Sequence, residues 1–184
     1  MSAPARIFKV LSFMFVIALL AQPLLAQSGI KIFVKIDNIK GESTDDRHKE
    51  EIDAVACSEG VLNSITIGSP GGGSSSRPDF SDIKIIKGID AASPLLRLAV
   101  AKGTHYPHVT ITFERMSPIG TRLPFLVIKL ETVAFTEVSM TTQVSDVAQE
   151  IVALTFAKIT WTYTPSTKDG TPIETSYDRT KIDG

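Results

Sequence analysis

Residues 151–165 read IVALTFAKITWTYTP, and their bulky apolar side chains change parity part-way along the segment. From Val152 to Phe156 they fall on even positions, and after Lys158 they fall on odd positions. These side chains are Val152, Leu154, Phe156, Ile159, Trp161 and Tyr163. Successive residues of a strand face opposite sides, so a parity change predicts a bulge or a strand that bends between two sheets. We expect such a strand where a sheet curls into a barrel.

Apolar alternation predicts further short strands on both sides of this segment. The first is the clearest, with Ile30, Ile32, Val34 and Ile36 on one face. Asp169 and Gly170 predict a turn before a last short strand. The other strand segments are 51–60, 62–68, 79–90, 108–116 and 123–140. Eight to ten short strands favour a small barrel or sandwich.

One helix is predicted at residues 93–103, SPLLRLAVAKG. Ser93 suits the N-cap, Pro94 the first helical position and Gly103 the residue after the last turn. The residues expected on one common face are Leu95, Leu98, Ala99 and Lys102. We therefore predict a mainly β chain, a small β-barrel made of two sheets with one flanking α-helix.

The N-terminus has the pattern of a secretory signal peptide over residues 1–26. Arg6 and Lys9 precede an apolar run from Val10 to Ala21, and Ala26 is a small residue at the expected cleavage point. The alternatives are a membrane anchor or a buried helix, but twelve apolar residues fall short of the roughly 20 that span a bilayer. We predict a secreted or periplasmic protein without a stable membrane span after signal cleavage.

Residues 27–184 are expected to form a single domain, because one hydrophobic core spans that length. The chain carries 19 Lys and Arg against 20 Asp and Glu. Such a balance gives no basic footprint, so nucleic acid is not an expected partner.

Cys57 is the only cysteine, which excludes an intrachain disulfide. Its small and apolar neighbours favour a buried free thiol over a nucleophile or an intermolecular bridge.

The stretch Lys40–Asp53, KGESTDDRHKEEID, is rich enough in carboxylates to suggest calcium or acid–base chemistry. It lacks the alternating ligand spacing and the glycine of a calcium loop. No G-x-S-x-G elbow occurs in the chain, and His48 has no evident serine partner. These residues alone predict a solvated loop between two strands.

The remaining candidate sites are equally weak. His105 and His108 could ligate a metal on a helix, but Pro107 interrupts them and no third ligand is offered nearby. Residues 68–79 are rich in Gly and Ser, yet Ser74 stands where a phosphate loop needs lysine. We predict no catalytic residue, no cofactor and no metal. A hydrolase or metal enzyme that uses His48 or His105 is the least favoured alternative.

Four sequence blocks resemble the Hcp family, the hemolysin-coregulated proteins of bacterial type VI secretion systems. The blocks run over residues 32–60, 87–115, 153–165 and 169–181, so the resemblance covers roughly Ile30 to Lys181. Its most specific parts are K-G-E-S followed by H-x-x-E-I-D, and S-P-x-L followed by G-x-H-Y-P.

The resemblance implies a β-barrel with one flanking helix that assembles as a homohexameric ring, with rings stacking into a tube. It implies small secreted effectors and other type VI secretion components as partners, and no catalysis. By matched position, Ser58 is the candidate lumen-facing residue, with Cys57 and Glu59 in place of the family's aromatic pair. Our candidates for subunit or ring contacts are Glu50 and Glu51, because their loop is too polar for a core and too long for a simple turn.

The signal peptide sets this chain apart from the family, whose tube proteins are normally assembled in the cytoplasm. An alternative function is therefore an exported Hcp-like β-barrel that acts outside the cytoplasm as a secreted binding or effector module.

Overall fold

The computed structural model describes residues 29–66, 74–75, 77–117, 120–141, 148–166 and 170–181. The predicted signal peptide, most of the glycine-rich segment 68–79 and Asp169 lie outside the described residues. The strands are β1 (Lys31–Ile36), β2 (Ile52–Ser58), β3 (Val61–Leu62), β4 (Ile65–Thr66), β5 (Ser74–Ser75), β6 (Asp79–Phe80), β7 (Ile83–Gly88), β8 (His105–Met116), β9 (Arg122–Thr141), β10 (Gln149–Tyr163) and β11 (Ile173–Asp178). The helix of the described residues is α1 (Ser93–Lys102).

Six long strands close into an antiparallel barrel in the order β10, β7, β2, β1, β8 and β9, because β9 also pairs with β10. β11 pairs with residues 158–163 of β10, and β3 with β6 and β4 with β5 form two separate two-stranded sheets. The predicted mainly β barrel with one helix is confirmed.

The parity change in β10 is confirmed, and β9 makes the same change beside it. In β10 the buried side chain of Phe156 is followed by that of Ile159; in β9 Leu130 is followed by Val133. Thr132 lies opposite the switch in β10 and has a φ of 52°, a left-handed conformation that is rare for a β-branched residue. The two strands therefore turn their apolar faces together around one backbone kink.

The partners of β10 change at the same place. β10 pairs with β7 as far as Leu154 and with β11 from Lys158 onward. The predicted bulge occurs, since a register shift against β9 lies between Ala153 and Leu154, and β7, β10 and β11 belong to one sheet. This shift falls a few residues before the expected position near Ala157.

The helix ends where the sequence predicts. Leu96 and Ala99 are buried against the barrel, whereas Leu95 and Leu98 are 45% and 49% exposed. Of the predicted common face, Leu95, Leu98 and Lys102 are therefore exposed and Ala99 alone is buried. A helix of ten residues with apolar side chains on both sides has no unique apolar face, so the barrel surface chooses it.

The predicted helix caps are half right. Gly103 has a φ of 61° and its N–H closes the last turn, as expected. Ser93 is not the N-cap, because Ala92 occupies that position and Ser93 is the first helical residue. The Ser93 hydroxyl instead enters a buried polar cluster described below. Among the described residues, none of the helical structure is long and apolar enough to cross a membrane.

Candidate functional site

The charged stretch Lys40–Asp53 connects β1 to β2 as a largely exposed loop, as predicted, but this loop is internally bonded. Its two limbs are bonded to each other, since Gly41 N–H donates to Glu50 O at 2.8 Å and Ser43 N–H donates to Glu51 O at 2.9 Å. A third bond runs from Glu50 N–H to Ser43 O at 3.0 Å. The side chain of Ser43 is buried and donates to Asp53 Oδ1 at 3.1 Å. We call this structured segment the charged connection.

Gly41 is required by the close approach of these two limbs. A Cβ atom at this position would collide with the carbonyl of Glu51 and lie 2.7 Å from the Cα of Ile52. Both contacts involve backbone, which cannot move aside as a flexible side chain can. Steric crowding by the backbone therefore requires glycine at the second position of K-G-E-S.

His48 fixes the charged connection to the outside of the barrel wall. Its ring stacks on Phe33, with centroids 4.0 Å apart and planes 7° from parallel. Its Nδ1 lies 2.8 Å from Glu51 Oε2 and its Nε2 lies 3.2 Å from Glu114 Oε1. Phe33 is buried on the side of β1 opposite to Val34. The stack explains why β1 is apolar on both faces at this point.

Glu114 of β8 is buried, with a side chain only 1% exposed, and Arg47 provides its second partner. Arg47 donates from Nη2 to Glu114 Oε2 at 2.8 Å and from Nη1 to the carbonyl of Arg122 at 2.5 Å. A buried carboxylate needs such partners, because an unpaired charge in the protein interior is strongly unfavourable. Sequence reasoning missed Glu114, which is 66 residues from His48 and has no local signal.

Of the two predicted contact residues, Glu51 faces inward and Glu50 faces solvent. The side chain of Glu51 is 16% exposed and holds His48. The side chain of Glu50 is 54% exposed and pairs with Lys40 at 2.8 Å. A hydrogen bond from Lys40 and its positive charge lower the pKa of Glu50. Glu50 is thus available to a neighbouring molecule, while Glu51 shapes the segment that presents it.

Ser58 lies at the end of β2, exposed on the outer side of the barrel wall and paired in register with Lys84 of β7. A bulge between Ala54 and Ala56 turns Ala54 toward the core, so Ala54 does not share the face of Ser58. A shallow groove of about 170 Å³ lies here, with Ala56, Ser58, Lys84, Ile86 and Ile151 along it.

Cys57 packs against the core next to Ser58. Burial raises the pKa of its thiol to about 11, and the nearby charge of Glu59 adds to the effect. Only a very small fraction is thiolate at neutral pH, and the thiolate is the nucleophilic form. Cys57 is half-buried rather than fully buried, and its low reactivity stays a prediction.

A second buried polar cluster joins α1 to the barrel, and the sequence did not reveal it. Lys87 donates to Glu150 Oε1 at 2.9 Å and to Asp90 Oδ1 at 2.6 Å. Ser93 donates to the same Glu150 oxygen at 2.7 Å, and Arg97 approaches Oε2 at 2.8 Å. Burial by itself would raise the pKa of Glu150, but the bonds from Lys87 and Ser93 and the charge of Arg97 outweigh it and lower the pKa.

The other histidines do not form a site with His48. His105 and His108 are exposed on β8, and His108 Nδ1 lies 3.0 Å from Asp37 Oδ2. Within the described ranges, no group of three His, Cys, Asp or Glu side chains could hold a metal ion. The polar clusters that do exist bind the charged connection and the helix to the barrel.

Comparison with known proteins identifies the family to which this barrel belongs. The family model described as "Type VI secretion system effector, Hcp" matches residues 33–163, from β1 to the end of β10. The chain belongs to the Hcp family. Family membership makes it a structural tube protein of type VI secretion, as the resemblance of the sequence blocks implies.

Individual Hcp proteins match over nearly their whole length. The chain is 32% identical to the Hcp1 protein of Pseudomonas aeruginosa over 151 residues, which are 79% of this chain and 93% of that protein. The crystal structure of Hcp1 from Salmonella typhimurium is 26% identical with a TM-score of 0.68 and covers 81% of this chain and 94% of its own. A type VI secretion effector from Yersinia pestis is 30% identical with a TM-score of 0.65, over 80% and 98% of the two chains.

Proposed function

We propose that this Hcp protein assembles into homohexameric rings that stack into a tube, carries small secreted effectors with other type VI secretion components, and has no catalytic activity. The observation that carries the proposal is the family match across the entire barrel, from β1 to β10. Each polar cluster of the described residues joins parts of the fold. This is a structural role, and it supports the proposal of a structural protein.

The charged connection supports a contact role at Glu50. Its bonded limbs and the stack of His48 on Phe33 hold the segment in one shape before any partner binds. Such preorganisation lowers the entropic cost of association. Lys40 and Glu50 lie side by side on the exposed part, so a neighbouring subunit would meet a positive and a negative charge at fixed positions. Glu51 contributes by holding His48.

The outer wall at Ser58 supports a lumen role. Ala56 and Ser58 are small, so the wall between Lys84 and Ile151 has room for side chains of a passing protein. Cys57 faces the core and Glu59 accepts a bond from Trp161 Nε1 at 3.1 Å. Neither residue supplies the aromatic surface that is usual beside this serine in the family, so we expect different effectors to be carried.

Size-exclusion chromatography with light scattering on residues 27–184 tests the ring. We expect a mass six times that of the subunit, and electron micrographs of the same fraction should show rings. A monomer over a wide concentration range would refute the proposal. The variant Glu50→Lys should weaken assembly while the subunit stays folded, and Glu42→Lys, also exposed in this segment, is its matched control.

A second candidate function is an exported Hcp-like module that acts outside the cytoplasm. The apolar run at residues 10–21 and the small residue Ala26 favour it. Sequencing the N-terminus of the protein from its native host separates the two candidates. A chain that begins at Gln27 indicates export, and an intact Met1 in cytoplasmic rings indicates the conventional tube subunit.

A further inference from the structure

The gap in the edge of β10 is filled by Arg179, which follows β11 directly. Between Leu154 and Lys158, β10 has neither β7 nor β11 beside it. Arg179 N–H donates to Ala157 O at 2.8 Å, and Arg179 Nη1 donates to Phe156 O at 3.0 Å. The unpaired part of the strand edge therefore obtains its hydrogen bonds from a single arginine.

The guanidinium of Arg179 lies over the rings of Phe80 and Phe156 without a counter-ion. Its Cζ lies 5.2 Å from the ring centroid of Phe156 and 5.7 Å from that of Phe80. Nη1 also donates to Thr155 Oγ1 at 3.1 Å, so its partners are a carbonyl and a hydroxyl, both uncharged. Across the described residues, no carboxylate lies within 4.0 Å of this guanidinium. The aromatic faces orient the cation, and its charge is not neutralised.

A polar cavity of about 530 Å³ opens beside this guanidinium. Arg77 lines it too, and its Nη2 donates to the carbonyl of Arg179. Asp79 is the acidic residue of the lining, so two guanidinium groups face one carboxylate. Among the described residues, neither Arg77 nor Arg179 forms an ion pair with an acidic side chain. The lining therefore has a net positive charge.

We propose that the cavity bordered by Arg77 and Arg179 binds an oxyanion, the carboxylate or phosphate group of a small ligand. A volume of about 530 Å³ falls within the range of small-molecule sites, about 300 to 1,000 Å³. The planar guanidinium matches carboxylate and phosphate groups with two parallel bonds, and Arg179 is oriented before the ligand arrives. The lining of this site contains neither Glu50 nor any residue of the groove at Ser58.

The test is calorimetric titration of the purified protein at low ionic strength, where charge screening is weak. Inorganic phosphate and glutarate are the two probes, and chloride at equal ionic strength is the reference. The variants are Arg77→Gln and Arg179→Gln. Lys102→Gln is the matched control, because it removes one exposed positive charge outside the cavity. Thermal unfolding of each variant reports whether it is folded.

We expect one saturable site, about tenfold weaker in Arg77→Gln and lost in Arg179→Gln, with Lys102→Gln unchanged. Saturation by phosphate alone identifies a phosphorylated ligand, and saturation by glutarate alone identifies a carboxylate ligand; either result supports the site. Absence of saturation with both probes overturns the proposal, as does equal weakening by Arg77→Gln and Lys102→Gln. If Arg179→Gln does not fold, the affinity of Arg77→Gln for the two probes tests the proposal. Failure here leaves the ring proposal standing, because the assembly assay does not involve this cavity.

Discussion

The ring of His48 lies parallel to the ring of Phe33 at a centroid distance of 4.0 Å, and both ring nitrogens of His48 face carboxylates. This arrangement fastens the charged connection to the barrel. It also turns a histidine that resembles a catalytic residue in the sequence into a structural one.

Replacing His48 by Ala should destabilise the fold by about 3 kcal/mol, since the buried Glu114 loses one of its two partners and Phe33 loses its stacked ring. Urea unfolding measures the change. Lys49→Ala, in the adjacent exposed position, is the control and should stay within about 0.5 kcal/mol of the native protein. A loss below about 1 kcal/mol for His48→Ala would show that the histidine does not fasten the segment.

Glu150→Gln should make the stability of the protein less dependent on pH. The pKa of Glu150 in the folded protein is below its usual value of 4.5, so its charge stabilises the fold above pH 4.5. That stabilisation disappears as the pH falls through the lowered pKa. We therefore expect the native protein to exceed the variant in unfolding free energy at pH 7, with the difference shrinking below pH 4.5.

Urea unfolding at several pH values checks this expectation, and Glu42→Gln, an exposed carboxylate, is the control. If the difference in unfolding free energy between the native protein and Glu150→Gln stayed constant down to pH 2, the expectation would be contradicted.

Gly41→Ala should cost about 2 to 3 kcal/mol, because the added methyl group meets backbone atoms of Glu51 and Ile52 that cannot yield without displacing the segment. Gly88→Ala is the matched control, since a Cβ at Gly88 meets nothing within 4 Å. Thermal unfolding of both variants measures the difference. Equal unfolding temperatures would mean that the two limbs separate easily.

Leu96→Ala should destabilise the protein by about 2 to 5 kcal/mol, because Leu96 is buried between α1 and the barrel. Leu98→Ala, on the exposed side of the same helix, should change stability by less than about 0.5 kcal/mol. Denaturant unfolding of the isolated subunit compares the two. The reverse order would show that the helix packs on the barrel through Leu98 rather than Leu96.

Cys57 should react slowly with iodoacetamide in the folded protein. With its pKa raised to about 11, the thiolate fraction at pH 8 is about a hundredfold lower than for a thiol of pKa 9. Mass spectrometry of the labelled protein with and without urea measures the protection. Labelling at the same rate in both states would show that Cys57 is accessible and ionised.

Much of the fold followed from local patterns. The parity of the apolar residues in β10 predicted a strand that bends within a barrel, because alternation is a local property that burial on one face imposes. Gly103 predicted the end of the helix for a similar reason, since its left-handed conformation suits glycine. The K-G-E-S and H-x-x-E-I-D motifs predicted the family.

The side of the helix that is buried, and the role of the charged connection, could not be predicted in this way. Leu95, Leu96 and Leu98 are equally apolar, and only the barrel surface selects Leu96. Likewise, the Lys40–Asp53 stretch looks solvated when its charges are considered alone, because its stacking and ion-pair partners lie on β1 and β8.

The sequence by itself therefore determined the barrel, the family and the end of the helix, which depend on neighbouring residues or short motifs. Only the tertiary structure decided that His48 meets Glu114, that Ser93 meets Glu150 and that Arg179 fills the edge of β10. These pairs are 66, 57 and 23 residues apart along the chain. Contacts at such separations arise from barrel closure, and no local periodicity encodes which charged side chains closure brings together.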